Sequence, residues 1–288
     1  MKEMNRLELK ISGVPEHFNL AWNLTIENDT FKKVGIDLKW QSVPEGSGRI
    51  SQMLRNGETD IAIILTESII KDMACNGIHS KIIQQYVQSP LIWGIHVSGN
   101  SSIDSIDELE NKRIAISRFG SGSHLMSLIF AKSKGWDISK MEFVIVNTLD
   151  GAIDALSNAK ADYFMWERFM TKPIVDQGIF KRIGDCPTPW PCFVIVARNQ
   201  IIQNYSNEID KILDIINHTT RCFKQNLNID LQISQRFNLK INDVQDWLTL
   251  TEWSQSKLDM KTFQKIQDQL FDLNQIENKN NFEKVTYQ

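Results

Sequence analysis

The residues able to do chemistry gather in a few short turns. Arg118 stands just before Gly120, Ser121, Gly122 and Ser123 in "IAISRFGSGSHLM" (Ile114–Met126), a stretch that passes from apolar alternation through glycines and serines toward a helix. A Gly/Ser turn between a strand and a helix leaves the first N–H groups of the helix pointing outward, where they receive anions or polar ligand groups. The structural alternative for the same letters is a tight turn with a serine cap. No Lys-Ser or Lys-Thr follows the glycines, and Leu125 stands where a dinucleotide fingerprint needs its third glycine, so both nucleotide readings fail. Other polar candidates are Pro15, Glu16 and His17 in "GVPEHF", Glu45, Gly46 and Ser47 in "VPEGSG", Thr66 and Glu67 in "LTES", Trp166 and Glu167 in "FMWER", and Trp190 in "PTPWP". Glu16, His17 and Glu45 have the types for acid–base work, yet their spacing demands none. With no Gly-x-Ser-x-Gly elbow, no His/carboxylate metal cluster and no cysteine in a helix-start setting, no catalytic residue, cofactor or metal is expected. Binding is the leading reading.

The elements that must position these turns follow from periodicity. Leu7–Ser12, Ile36–Gln41 and Asp60–Leu65 read as strands, with helices over Glu16–Ile26 and Ser47–Asn56 between them. The same order returns as strands at Arg113–Ser117, Met141–Asn147 and Asp162–Trp166, with helices at Ser123–Gly135 and Asp150–Ala159. Two βαβαβ units imply an α/β protein with mainly parallel sheets flanked by helices. The halves also align coarsely, "LKISGVPEHFNL" over "IAISRFGSGSHL" and "ISQMLRNGETDIAII" over "AIDALSNAKADYFMW", which points to two similar lobes. "PLIWGIHVSGN" (Pro90–Asn100) and "PCFVIVARNQ" (Pro191–Gln200) read as strands that leave one lobe and enter the other, the two crossings a hinged clamp needs. Residues 1–95 with 198–288 are therefore expected to form one lobe and 96–197 the other. Tyr205–Leu227, Asp230–Phe237, Ile241–Leu248 and Lys261–Leu273 read as amphipathic helices, and the polar tail from Asn274 as loose.

Composition narrows the partners. The 288 residues, 42% hydrophobic and 23% charged, suffice for lobes with real cores, and a net charge of −3 leaves no electrostatic footprint for nucleic acid or an anionic membrane. No apolar run approaches the roughly 20 residues of a membrane span, and "MKEMNRLELK" lacks the apolar stretch of a secretory signal. The chain as written is expected in the cytoplasm, or in the periplasm or outside the cell if a leader has been removed. Cys75, Cys186, Cys192 and Cys222 show no metal spacing; Cys186 and Cys192 bracket "PTPWP", but reduced thiols are expected in a leaderless chain.

These stretches resemble the type II periplasmic-binding-protein family in its nitrate, sulfonate and thiamine-precursor-binding branch. The resemblance spans nearly the whole chain through "ISGVPEHF", "VPEGSGRISQML", "NGETDIAIILTESI", "LIWGIHV", "SIDELENKRIAISRFGSGSH" and "ADYFMWERF". Two departures stand out: the leader of transporter-linked members and the cysteine cluster of the fungal pyrimidine-synthesising relatives are both missing. The resemblance implies a two-lobed fold with a two-strand hinge, closing on a small organic ligand held by loops at the C-terminal ends of the strands. It also implies a possible role as the substrate-binding component of an ABC transporter, with a permease as partner, and a monomer. The alternatives are an enzyme on the same fold, of the menaquinone-route dehydratase or pyrimidine-synthesising kind, and a ligand-sensing module.

For the single residues, structural and ligand roles stand side by side. His17 fits either a helix face or a ligand; Glu16 and Glu67 also suit first helical turns on electrostatic grounds. Arg118 suits an anionic ligand group or a surface ion pair, and Trp166 a core or a stacking wall, whereas Trp190 between prolines reads as a cleft wall. Donor turn and arginine favour an anion, and the four glutamates Glu16, Glu45, Glu67 and Glu167 an amine. A zwitterion or an amino-heterocycle satisfies both.

Overall fold

The computed structural model describes residues 6–287. The chain divides into two compact units, Met1–Ser89 with Trp190–Gln288, and Pro90–Pro189.

The first unit is built on a five-stranded sheet in the order β2-β1-β3-β10-β4, with β1 Leu7–Gly13, β2 Ile36–Ser42, β3 Ile61–Leu65, β4 Ser80–Val87 and β10 Phe193–Arg198. Strand β1 runs parallel to β2 from Leu7↔Ile36 to Gly13↔Ser42 and parallel to β3, whereas β10 pairs antiparallel with both β3 and β4. Four strands therefore point one way and only β10 is reversed. Strand β3, "IAIIL", occupies the middle of the sheet, and its first four residues are buried without a polar alternate, as a strand covered on both faces requires. Helix α1 spans Leu20–Glu27, helix α2 Ser47–Asn56 and helix α3 Thr66–Asn76. Ile50, Met53 and Leu54 give α2 its buried face, and Gly57 at φ +73° ends it in the left-handed conformation that a side chain resists.

The second unit repeats the plan with the order β7-β6-β8-β5-β9, using β5 Ile92–Ser98, β6 Ile114–Ile116, β7 Phe143–Ile145, β8 Tyr163–Glu167 and β9 Phe180–Pro187. Here β6 is parallel to β7 and β8, while β5 is antiparallel to β8 and β9. Helices α4 (Gly122–Ser133) and α5 (Leu149–Ser157) follow β6 and β7. In both units the reversed strand is the first one formed after the chain arrives from the other unit.

That arrangement alters two sequence expectations. Strand β5 lies wholly in the second sheet and β10 wholly in the first, so neither passes from one lobe to the other. Trp190, expected with 96–197, falls in the first unit because the strand it precedes is hydrogen-bonded between β3 and β4. The tail after Asn274 also differs from expectation. Ile276 and Val285 are buried, Tyr287 N–H donates to the Ile82 carbonyl at 2.9 Å, and Thr286 bridges to β4 beside it. A few anchoring apolar residues among many polar ones hold it there. The long helix expected over Tyr205–Leu227 ends at Cys222 and tightens to a single 3-10 turn at Phe223–Gln225. No helix among the described residues is long and apolar enough to cross a membrane.

Candidate functional site

In the first unit the polar turns collect at one edge of the sheet, the edge where β1, β2 and β3 end and β10 begins. Hydrogen bonds stitch them together. Val43 N–H donates to the Gly13 carbonyl at 2.9 Å, Asn19 Nδ2 to the Val14 carbonyl at 2.9 Å, and Leu65 N–H to Ser47 Oγ at 3.4 Å. Gly13 is needed because Trp40 lies over it: a Cβ there would come within 2.6 Å of the indole ring. Pro15 and Glu45 are exposed, and Gly46, at φ +82°, starts α2.

The first turn of α3 grips the chain where it returns from the second unit. Thr66 donates its hydroxyl to the Pro191 carbonyl at 2.7 Å and its N–H to the Cys192 carbonyl at 3.0 Å, while Trp190 Nε1 donates to Glu67 Oε2 at 2.8 Å. Trp190 is 3% exposed and Glu67 fully buried. Burial pushes the Glu67 carboxyl up to about 7, against the opposing pull of its own backbone N–H and the indole N–H. Glu16, half-buried on the neighbouring turn, is also pushed up to about 7 by loss of water around its carboxyl.

His17 turns inward. Its ring stacks on Phe18 at 4.9 Å and meets the edges of Trp247 at 4.3 Å and Phe237 at 5.9 Å, and this apolar nest lowers its pKa to about 3. The imidazole is therefore neutral at ordinary pH, held as an aromatic packing unit.

In the second unit the opening Gly/Ser turn binds itself together. Ser123 Oγ accepts the Ser117 N–H at 3.0 Å and shares hydrogen bonds with the hydroxyls of Ser117 at 3.2 Å and Ser121 at 3.1 Å. Ser121 caps α4 by accepting the His124 N–H at 3.3 Å and donates to the Arg118 carbonyl at 2.7 Å, while Gly120 N–H donates to His124 Nδ1 at 3.1 Å. The hydroxyls thus shape the turn from inside; Arg118, Phe119 and Gly120 form its exposed rim and Gly122 is half-buried. Phe119 stands 60% exposed, backed edge-on by His124 at 5.3 Å and Phe143 at 5.7 Å. Replacing Ser123 by Ala leaves the buried Ser117 N–H without its acceptor, so the unit should lose about 1 kcal/mol in urea unfolding. An unchanged unfolding midpoint would place that hydrogen bond outside the energetics of the turn.

Trp166 is half-buried, stacked on Phe164 at 5.4 Å and edge-on to Trp93 at 6.3 Å, so one side of it belongs to the core that contains Ala115, Val146 and Ala152. Glu167 is buried and accepts the Met170 N–H at 2.6 Å, which closes the turn after β8. The ends of β6, β7 and β8 carry these turns to one edge of the second sheet, where β9 also ends. Sequence reasoning passed over Trp40, His124 and Asn19; only Trp40 at a strand end gave any signal. Among the described residues, no group of three His, Cys, Asp or Glu side chains is placed to hold a metal.

Known proteins share this fold. Residues 93–186 match a family model described as Ca3427-like PBP. The Candida albicans CA3427 gene product, described as exhibiting the generic periplasmic binding protein fold, superposes with a TM-score of 0.87 at 26% identity over 98% of this chain and 97% of its own. The chain has the periplasmic-binding-protein fold. The resemblance seen in the sequence holds at that level, as a two-lobed α/β architecture. The alkanesulfonate-binding protein SsuA from Xanthomonas axonopodis pv. citri, bound to MOPS, matches this periplasmic-binding-protein-like chain with a TM-score of 0.83 at 12% identity, covering 98% of this chain and 99% of that one. PhnD1 from Prochlorococcus marinus, in complex with methylphosphonate, gives 0.62 at 17% identity over 93% of this chain and 99% of its own. None of the curated proteins matches the sequence.

Proposed function

We propose that this periplasmic-binding-protein-like chain is a solute-binding clamp whose strand-end turns, Gly13–Glu16, Val43–Ser47 and Thr66–Glu67 in one unit and Ser117–Ser123 and Trp166–Arg168 in the other, hold one small polar organic ligand. The observation that carries the reading is the parallel build of the two units, since each brings its polar turns to one sheet edge of the kind where open α/β sheets bind ligands. Relatives of the same fold named for binding an alkanesulfonate or crystallised with methylphosphonate support it. Delivery of the ligand to a membrane permease belongs to the same proposal.

The test starts from the protein purified without denaturation. Small molecules released from it on unfolding are identified by mass spectrometry and added back to the stripped chain. Stoichiometric rebinding by calorimetry, with a fall in the radius of gyration by small-angle X-ray scattering, is the expected result, because a clamp that binds better closed must shift toward closure. A stripped chain that rebinds nothing, or turns the added compound over to product, overturns it.

A further inference from the structure

We propose that Glu67 is the recognition group for a nitrogen on the ligand, one that is positively charged or donates an N–H, so that the ligand is an amine, amidine or amino-heterocycle. The inference rests on the binding function proposed above and names the ligand chemistry at the first unit's edge.

Glu67 lies in the first turn of α3, directly after β3, the middle strand of its sheet, and has no exposed surface. Its two oxygens are treated differently. Oε2 accepts the Trp190 indole N–H at 2.8 Å, whereas Oε1 is buried with no hydrogen-bond partner among the described residues. Either protonation state leaves that atom unsatisfied: a carboxylate oxygen there lacks a donor, and an acid hydroxyl there lacks an acceptor. Buried polar atoms in native proteins are mostly paired, so an unpaired carboxyl oxygen calls for a donor from water or a ligand. Accepting one indole N–H would need only a glutamine carbonyl. A glutamate goes further, because it can meet a cation with the oxygen that Trp190 does not use.

The surroundings supply no such cation. Among the described residues no lysine or arginine ion-pairs with Glu67. The next strand end adds Glu16, a second carboxyl on the turn after β1, which pairs directly with β3. A carboxylate is favoured in the first turn of a helix such as α3, which keeps an ionised Glu67 tolerable once a cation arrives. Burial raises the carboxyl to about 7, and perturbed carboxyls of this kind gather at binding sites.

The experiment uses matched probes differing in one group: 2-aminoethanesulfonate against 2-hydroxyethanesulfonate, and benzylamine against benzyl alcohol, titrated by calorimetry into the full chain. At least one amine should bind ten times more tightly than its alcohol. Glu67→Gln, which still accepts the Trp190 N–H, should abolish that preference while tryptophan emission and melting temperature stay as in the parent. Equal binding of amines and alcohols, a preference that survives Glu67→Gln, or binding of none of the four probes overturns the inference. Equal binding leaves the clamp function standing, and failure of that function shows separately in the rebinding of the co-purified molecule.

Discussion

Relative to the parent, His17→Phe should gain about 2 kcal/mol of stability on going from pH 7 to pH 5. The aromatic nest holds the folded His17 near a pKa of about 3, against an ordinary value of 6.5. The unfolded chain therefore takes up a proton over that interval and the folded chain does not, which drains stability as the pH falls, by about 1.4 kcal/mol per pH unit below the unfolded pKa. His96, buried on β5 with its Nε2 within 2.9 Å of the Thr171 hydroxyl, is lowered by burial to about 4 and acts in the same direction. Glu16 and Glu67 act in the opposite one. Raised to about 7, they are protonated in the folded state before the unfolded state, so their strain is relieved as the pH drops from 7 toward 4.5. The parent should show a shallow pH profile from this cancellation, and only the difference between parent and variant isolates the imidazole. Phenylalanine keeps the ring against Phe18 and Trp247. Urea unfolding at the two pH values reads the result, and parallel profiles for parent and variant would mean that His17 meets water in the folded state.

What could be seen in the letters depends on how far apart the partners lie. Alternation over "LELKIS" and the apolar run in "DIAIIL" were enough to locate β1 and β3, because a strand's period is written within six residues. Strands β4 and β9 escaped: "SKIIQQYV" and "FKRIGDCP" mix polar and apolar residues without a clean period, and what makes them strands is pairing with β10 and β5 far along the chain. The site divides the same way. Its strand-end turns were legible from the strand–turn–helix order. That Trp190 would meet Glu67, 123 residues away, was not, nor that His17 would be enclosed by Phe237 and Trp247 from the C-terminal helices. The serines of the Gly/Ser turn were legible as a cap but not as a mutually bonded cluster, since hydroxyls that point inward and outward read identically in sequence.

The sign of a glycine substitution separates local preference from tertiary contact most sharply at Gly151. Within helix α5, alanine is intrinsically favoured over glycine by about 1 kcal/mol, so propensity alone makes Gly151→Ala stabilising. The structure demands the reverse. A Cβ on Gly151 would lie 2.0 Å from the Val146 carbonyl oxygen and 3.0 Å from its carbon, contacts with backbone that no side-chain rotation relieves. Nor can that carbonyl withdraw: it accepts the Thr148 N–H at 2.7 Å, and the same residue's N–H is bound to the Ile116 carbonyl at 2.9 Å with its side chain in the buried core. Thr148 in turn caps α5 by accepting the Gly151 N–H at 3.2 Å, and Asn147 N–H donates to the Ser117 carbonyl at 3.0 Å. The added methyl therefore pushes on the turn after β7 and, through Asn147, on the Gly/Ser turn beside it. Gly151→Ala should destabilise the second unit by about 3 kcal/mol, at the upper end of what overpacking produces, and speed hydrogen exchange over 114–157. Binding of the co-purified molecule should weaken at least tenfold at a temperature where the variant remains folded. A variant as stable as the parent would mean that the Val146 carbonyl has room to move, and the coupling of the two turns would go with it.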